Sequence, residues 1–218
     1  MKDLKTLIDE CRKHAFDLNF SRAKEWKEES PDRVLVGYMP IYFPREIIHA
    51  AGAMPVGIFG GGDAKQIIKG DAYYQSYICH IPRSIIEIAL DKHLDHIDGF
   101  IFPSICDVIR NLSGIFKQLD IGAFVKYMDF PQNFLPQIGG EFYQQEMQHV
   151  LKYIKEINGK EVTTDSLNHA IGLYNTNRQL IERIYEIRQS YPWRLTIEEV
   201  YCIIRAGTVI PVEEHNEI

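Results

Sequence analysis

Between Arg33 and about Met128 the chain alternates short apolar runs with helical stretches, and this alternation constrains the fold more than any other feature. Val34-Leu35-Val36-Gly37-Tyr38, Met54-Pro55-Val56-Gly57-Ile58, Gly99-Phe100-Ile101-Phe102 and Phe124-Val125-Lys126-Tyr127-Met128 have the length and composition of buried strands. Between them lie a helix from Pro44 to Gly52, one from Pro82 to about Leu94 and one from Cys106 to about Leu119. The first has Pro in its opening turn and Gly at its end, the usual punctuation of a helix. Short apolar strands separated by helices predict an α/β domain in which a parallel sheet carries helices on both faces.

The flanks read differently. Residues 1 to about 27 carry Leu4, Leu7, Ile8, Cys11 and Ala15 at helical steps, which predicts an N-terminal amphipathic helix over 1–30. The α/β domain then covers 31–135, and 136–218 form a helical segment. In that segment Glu141–Asn158 and Thr164–Ser190 are predicted helices, the second capped by Thr164. A last helix follows from Thr196 to Ala206. Cys11 and Cys202 fall in apolar stripes and read as packing residues. Gly207-Thr208-Val209-Ile210-Pro211 and Val212-Glu213-Glu214-His215 resemble a connector, so the polypeptide is expected to be incomplete, leading toward a second α/β domain.

Charge and composition narrow the function classes. The chain has 218 residues, 30 acidic against 24 basic side chains and a formal charge of −6, which argues against a general nucleic-acid surface. Met1-Lys2-Asp3-Leu4-Lys5 is no secretory signal, and no apolar run approaches the roughly 18 residues that cross a bilayer. Four widely spaced cysteines do not form a disulfide framework, so a reducing cytoplasm and a protein without membrane association are expected.

Two of those cysteines carry the chemical interest. Cys79, in Tyr77-Ile78-Cys79-His80-Ile81-Pro82-Arg83-Ser84, and Cys106, in Phe102-Pro103-Ser104-Ile105-Cys106-Asp107-Val108-Ile109-Arg110, each sit where an extended stretch gives way to a helix. Each is followed four residues later by an arginine. Unpaired N–H groups and the positive end of the helix dipole favour the thiolate, the form that binds iron or zinc. Their separation of 27 residues matches neither a zinc finger nor a ferredoxin run. Two structural cysteines remain the alternative. Strand-to-helix turns at the carboxyl edge of an open sheet are nevertheless where ligands gather. Glu46 and His49 lie three apart on the helix after Pro44, so they share a face and could exchange protons with a ligand, or form a surface pair. The glycine-rich turn Gly57 to Asp63 has neither the Rossmann spacing nor a P-loop Lys, and reads as a flexible turn beside a pocket.

These blocks together resemble the 2-hydroxyacyl-CoA dehydratase and benzoyl-CoA reductase family. The resemblance rests on Gly37-Tyr38-Met39-Pro40 with Pro44-Arg45-Glu46-Ile47-Ile48-His49-Ala50-Ala51-Gly52-Ala53-Met54-Pro55-Val56, on Gly70-Asp71-Ala72-Tyr73-Tyr74-Gln75-Ser76-Tyr77-Ile78-Cys79, and on Asp98-Gly99 through Cys106-Asp107-Val108-Ile109-Arg110-Asn111-Leu112. The second and third stretches are most similar to the cluster-bearing subunits of ATP-dependent benzoyl-CoA reductase.

The resemblance implies a [4Fe–4S] cluster with Cys79 and Cys106 as its first two iron ligands. The third ligand would come from a second domain, and Cys202 does not match it. Aromatic residues Tyr73, Tyr74, Tyr77, Phe100 and Phe102 would shield the site, or serve as ordinary core. Glu46, and with less support His49, would face the acyl-CoA substrate as catalytic residues. The implied partners are a homologous cluster-bearing subunit, an ATP-hydrolysing activator and ferredoxin as electron source, and the implied activity is reduction of an aryl-CoA thioester. A 2-hydroxyacyl-CoA dehydratase subunit and a non-catalytic truncated assembly subunit are the alternatives.

Overall fold

Four five-residue runs form the sheet: β1 (Val34–Tyr38), β2 (Ala53–Gly57), β3 (Gly99–Pro103) and β4 (Phe124–Met128). The structure, a computed structural model, describes residues 3–218. All strand pairs are parallel, in the order β2-β1-β3-β4. The first three strands are buried along their whole length, as continuous apolar runs require. β2 is an edge strand, which is why it tolerates Pro55, a residue with no N–H to give the ladder.

Alternate residues of each strand feed two separate cores. Leu35, Met54, Val56, Phe100 and Phe102 pack on one face. There they meet α2 (Ser21–Glu28), α4 (His80–Leu90) and α5 (Asp107–Gln118) through Ala23, Ile85, Leu112 and Phe116. Val34, Val36, Ile101 and Met128 pack on the other, against α3 (Arg45–Ala50) and α6 (Glu141–Asn158) through Ile48, Val150 and Ile154. Helices therefore cover both faces, the α/β arrangement expected from the strand pattern. Phe100 and Phe102 are core residues, in edge-to-face contact with Phe116 at 5.1 and 5.0 Å.

At the N-terminus the expected single helix is two, and its first two residues lie outside the described residues. α1 (Leu4–Ala15) ends before Phe16, and α2 begins at Ser21. The break is made by Asp17, whose carboxylate accepts the N–H groups of Asn19 at 2.9 Å and Ser21 at 2.7 Å, and by Phe20 in the left-handed region at φ 50. A side chain that caps a following helix competes with continuing the previous one.

The 27-residue helix α7 (Thr164–Ser190) is capped by Thr163, one residue earlier than expected, through a reciprocal pair with Ser166 at 3.0 Å. α8 (Ile197–Ala206) packs on α1, burying Cys11 and Cys202 completely. Burial pushes the Cys11 thiol up to about 11, as expected of a packing residue. Residues beyond Gly207 do not run free. Val212–Glu217 form α9, which docks on α7 through Asn177, whose amide bonds His215 at 2.7 Å and Asn216 at 2.8 Å. Among the described residues no helix is long and apolar enough to cross a membrane.

Candidate functional site

The strand order sets the location. β1 is followed by β2 on one side while β3 lies on the other, so loops after β1 and β3 diverge at the carboxyl edge of the sheet. Open sheets bind ligands in such a crevice.

Cys106 follows β3 and caps α5, and Cys79 caps α4; both are exposed. The extended backbone at Cys106, φ −161, lets its carbonyl accept the N–H groups of Ile109 at 3.1 Å and Arg110 at 3.3 Å while the thiol faces outward. Ser104 fixes the turn before it: its N–H donates to the Met128 carbonyl at 2.9 Å and its hydroxyl oxygen accepts the Phe130 N–H at 3.1 Å.

The segment before Cys79 has little regular structure, and α4 holds it. The buried Glu87 carboxylate accepts the N–H groups of Ile68 and Gly70, each at 2.8 Å. The hydroxyl of Ser84, also buried, accepts the Gly61 N–H at 2.7 Å. Position 70 must be glycine, because a Cβ there would lie 2.1 Å from the Arg83 carbonyl oxygen. Neither Glu87 nor Ser84 is legible as functional in the sequence, since both sit in an otherwise apolar helix and their partners are loop amides.

One aromatic residue feels the fields of both thiols. The Tyr74 hydroxyl donates to the Val108 carbonyl at 3.0 Å, and burial together with the fields of Cys106 and Cys79 pushes it well above the ordinary phenol range. The arginines that follow each cysteine are engaged elsewhere. Arg83 pairs with Asp71 at 2.6 Å, and Arg110 lies 5.1 Å over the Tyr127 ring. Tyr77 is highly exposed and Tyr73 moderately so, whereas Phe100 and Phe102 are sealed in the core.

Glu46 and His49 do not share a cavity. Glu46 is buried in the wall of a cavity of about 670 Å³ and is bonded to Arg178 of α7. His49 borders a smaller cavity of about 290 Å³, where its Nε2 meets the Glu213 carboxylate at 2.8 Å and its ring meets the edge of Tyr174 at 5.9 Å. The His49 contact holds the Glu213 carboxyl below its ordinary range. The larger cavity also exposes Tyr38, Arg45, Asn177, Thr208 and His215, none of which stands out in the sequence.

As ligands for iron the two cysteines fit in kind: exposed sulfurs on adjacent helix caps, close enough that both act on Tyr74. Among the described residues no group of three His, Cys, Asp or Glu side chains is gathered to hold a metal ion. Two exposed cysteine side chains are therefore what the described residues offer a cluster.

Residues 40–218 match the family model described as 2-hydroxyglutaryl-CoA dehydratase, D-component. The chain is 49% identical over 212 residues to one of the subunits of benzoyl-CoA reductase of Thauera aromatica, covering 97% of this chain and 55% of that protein. It is 29% identical over 192 residues to the beta subunit of (R)-2-hydroxyglutaryl-CoA dehydratase of Acidaminococcus fermentans, covering 88% and 50%. It is also 27% identical over 183 residues to the beta subunit of lactoyl-CoA dehydratase of Anaerotignum propionicum, covering 84% and 48%. The chain spans about half the length of the curated relatives it matches. With the parallel sheet, the paired cysteine caps and this match in hand, the chain belongs to the 2-hydroxyglutaryl-CoA dehydratase D-component family.

Proposed function

We propose that this chain serves in an iron–sulfur subunit of a benzoyl-CoA reductase-like enzyme, with Cys79 and Cys106 as two ligands of a [4Fe–4S] cluster. The observation that carries the reading is the matched placement of the two exposed thiols at the caps of α4 and α5, both acting electrostatically on Tyr74. The identity to a benzoyl-CoA reductase subunit supports the same reading. A cluster held there would supply single electrons at low potential for an aryl-CoA thioester.

The chain's own residues have definable tasks. Glu87 and Ser84 hold the irregular segment that delivers Cys79, and Ser104 sets the turn that delivers Cys106. Tyr74 ties the two segments together. Hydrogen bonding and burial around the sulfurs tune a cluster's potential. Glu46, buried at the cavity wall, is placed to hold or move a proton at its carboxylate once Arg178 yields. The proposed partners are a homologous cluster-bearing subunit and an ATP-hydrolysing activator fed by ferredoxin, with an acyl-CoA as substrate. A cytoplasmic location goes with them.

The test is anaerobic co-purification with the homologous subunit, followed by iron and sulfide analysis of wild type, Cys79→Ala and Cys106→Ala. Iron bound by the wild type and lost from this chain in both variants is expected; full retention in either overturns the ligand assignment. A dehydratase subunit is the second reading, favoured by the family description and two of the relatives. Formation of a dearomatised product from an aryl-CoA, against loss of water from a 2-hydroxyacyl-CoA, separates the two.

A further inference from the structure

Two half-buried arginines near the end of β1 have no carboxylate bonded to them. Arg45 donates to the Gly207 carbonyl at 2.9 Å, hydrogen-bonds the Tyr38 hydroxyl and lies 4.8 Å over the Tyr174 ring, so its bonded partners are all neutral. Glu46 lends it some field, but the bonded partner of Glu46 is Arg178. Arg205 lies 3.5 Å over the Phe59 ring, and its buried Nη1 has no hydrogen-bond partner among the described residues. Both charges act on the Tyr38 hydroxyl. Nearby His215 adds no negative charge: its Nε2 donates to the Ile203 carbonyl at 2.9 Å and its Nδ1 accepts from Asn177 at 2.7 Å, which is the neutral ring.

A charge drawn partly out of water without a bonded counter-charge is costly, and a fold that keeps two such groups together has a use for them. Arg45 lines the 670 Å³ cavity, whose other walls include Phe43, Met147, Leu167, Ile171 and Ile181. With Arg45 at one end, the mutually paired Glu46 and Arg178 in its wall and apolar side chains along the rest, that space suits an organic molecule bearing an oxyanion. Arginine is the side chain best shaped for phosphate or carboxylate oxygens.

We propose that Arg45, backed by Arg205 around the Tyr38 hydroxyl, anchors the oxyanion of an organic ligand whose apolar body fills this cavity. Arg45 supplies the N–H donors, and Arg205 raises the positive potential behind them. The site shares its cavity with Glu46, so identifying its ligand with the substrate rests on the proposed function, while the binding itself uses no iron and neither cysteine and is tested apart from the cluster.

The experiment is isothermal titration of the full chain at fixed ionic strength. The probes are coenzyme A, which carries phosphates, and benzoate, which carries a carboxylate on an apolar ring; pantetheine and benzyl alcohol are their uncharged counterparts. At least one anion is expected to bind tenfold or more tightly than its counterpart, and Arg45→Met and Arg205→Met are expected each to weaken it at least tenfold with an unchanged far-ultraviolet circular dichroism spectrum. Binding of coenzyme A alone names a phosphate as the anchor group, and binding of benzoate alone names a carboxylate. Equal binding of charged and uncharged probes, no binding at millimolar concentration, or wild-type affinity in both variants overturns the proposal. Should Arg45→Met fail to fold, Arg45→Lys keeps the charge and removes the fork. In addition, sulfate is expected to compete with the anion on the wild type better than chloride at equal ionic strength, and equal competition contradicts the site.

Discussion

The Tyr74 hydroxyl donates to the Val108 carbonyl at 3.0 Å, joining the segment that ends in Cys79 to the first turn of the helix capped by Cys106. Two thiols carried by separate loops keep a fixed separation only if those loops are tied together, and this bond is such a tie. Tyr74→Phe removes the bond and little else. A single hydrogen bond contributes about 1 kcal/mol, equivalent to a fall of about 2–4 °C in Tm for a chain of this size. The same variant is expected to lose iron to a chelator several-fold faster than wild type; an unchanged release rate would show that Tyr74 does not organise the pair.

Glu87 is a second restraint on Cys79. Replacing it by Ala leaves the buried Gly70 amide without an acceptor, at about 1–3 kcal/mol, and the part-buried Ile68 amide as well, at a smaller cost because water can reach it. Glu87→Gln keeps a side-chain oxygen and is expected to cost less than half as much. Hydrogen exchange at Ile68 and Gly70 reads the difference directly, with rapid exchange expected in the Ala variant alone.

Gly70→Ala tests the same region from the backbone side. Its Cβ would lie 2.1 Å from the Arg83 carbonyl oxygen, and backbone cannot swing away as a flexible side chain can. A loss of about 2–3 kcal/mol is expected in urea unfolding, in the range of overpacked sites. A neutral result would mean the loop is free to move off α4.

Acidification is expected to destabilise the chain below pH 6.5. Burial holds His215 below its ordinary value, so the folded state keeps the ring neutral while the unfolded chain takes up a proton near pH 6.5. The unfolded state binds more protons there, and stability falls as the pH drops through that window. It is unaffected above it. His14 and His96 shift in the same direction for the same reason. Urea melts between pH 7.5 and 5.5 should therefore show a decline in wild type that is shallower in His215→Gln; identical slopes would contradict a neutral buried His215.

Much of the α/β core is legible because apolar runs of strand length have few other uses. Of the four strands, β1 and β4 read with their observed limits, β2 reads one residue late, at Met54 instead of Ala53, and β3 ends one residue early, at Phe102 instead of Pro103. What fails to show is set by contacts distant in sequence. The Glu46–His49 spacing correctly places both on one short helix, but Arg178 draws the first into one cavity and Glu213 the second into another. No local pattern contains those partners. The segment after Gly207 lacks an apolar stripe, so it reads as a connector; Asn177, 38 residues before His215, is what fastens it. Similarly, Asp17 breaks the first helix through a local capping bond that periodicity does not register. The cysteine pair is visible because each thiol precedes a helix, a local feature, while Tyr74, the residue on which both act, is one aromatic among several.

Electron paramagnetic resonance of the anaerobically reduced complex tests the central claim most directly. Serine keeps an oxygen in place of each sulfur and changes a cluster's spectrum without emptying the position. If Cys79 and Cys106 hold one cluster, Cys79→Ser and Cys106→Ser will each alter the same signal, and the double variant Cys79→Ala with Cys106→Ala will lose it. Signals that stay as in wild type in either single variant, or two signals that respond separately, would contradict it.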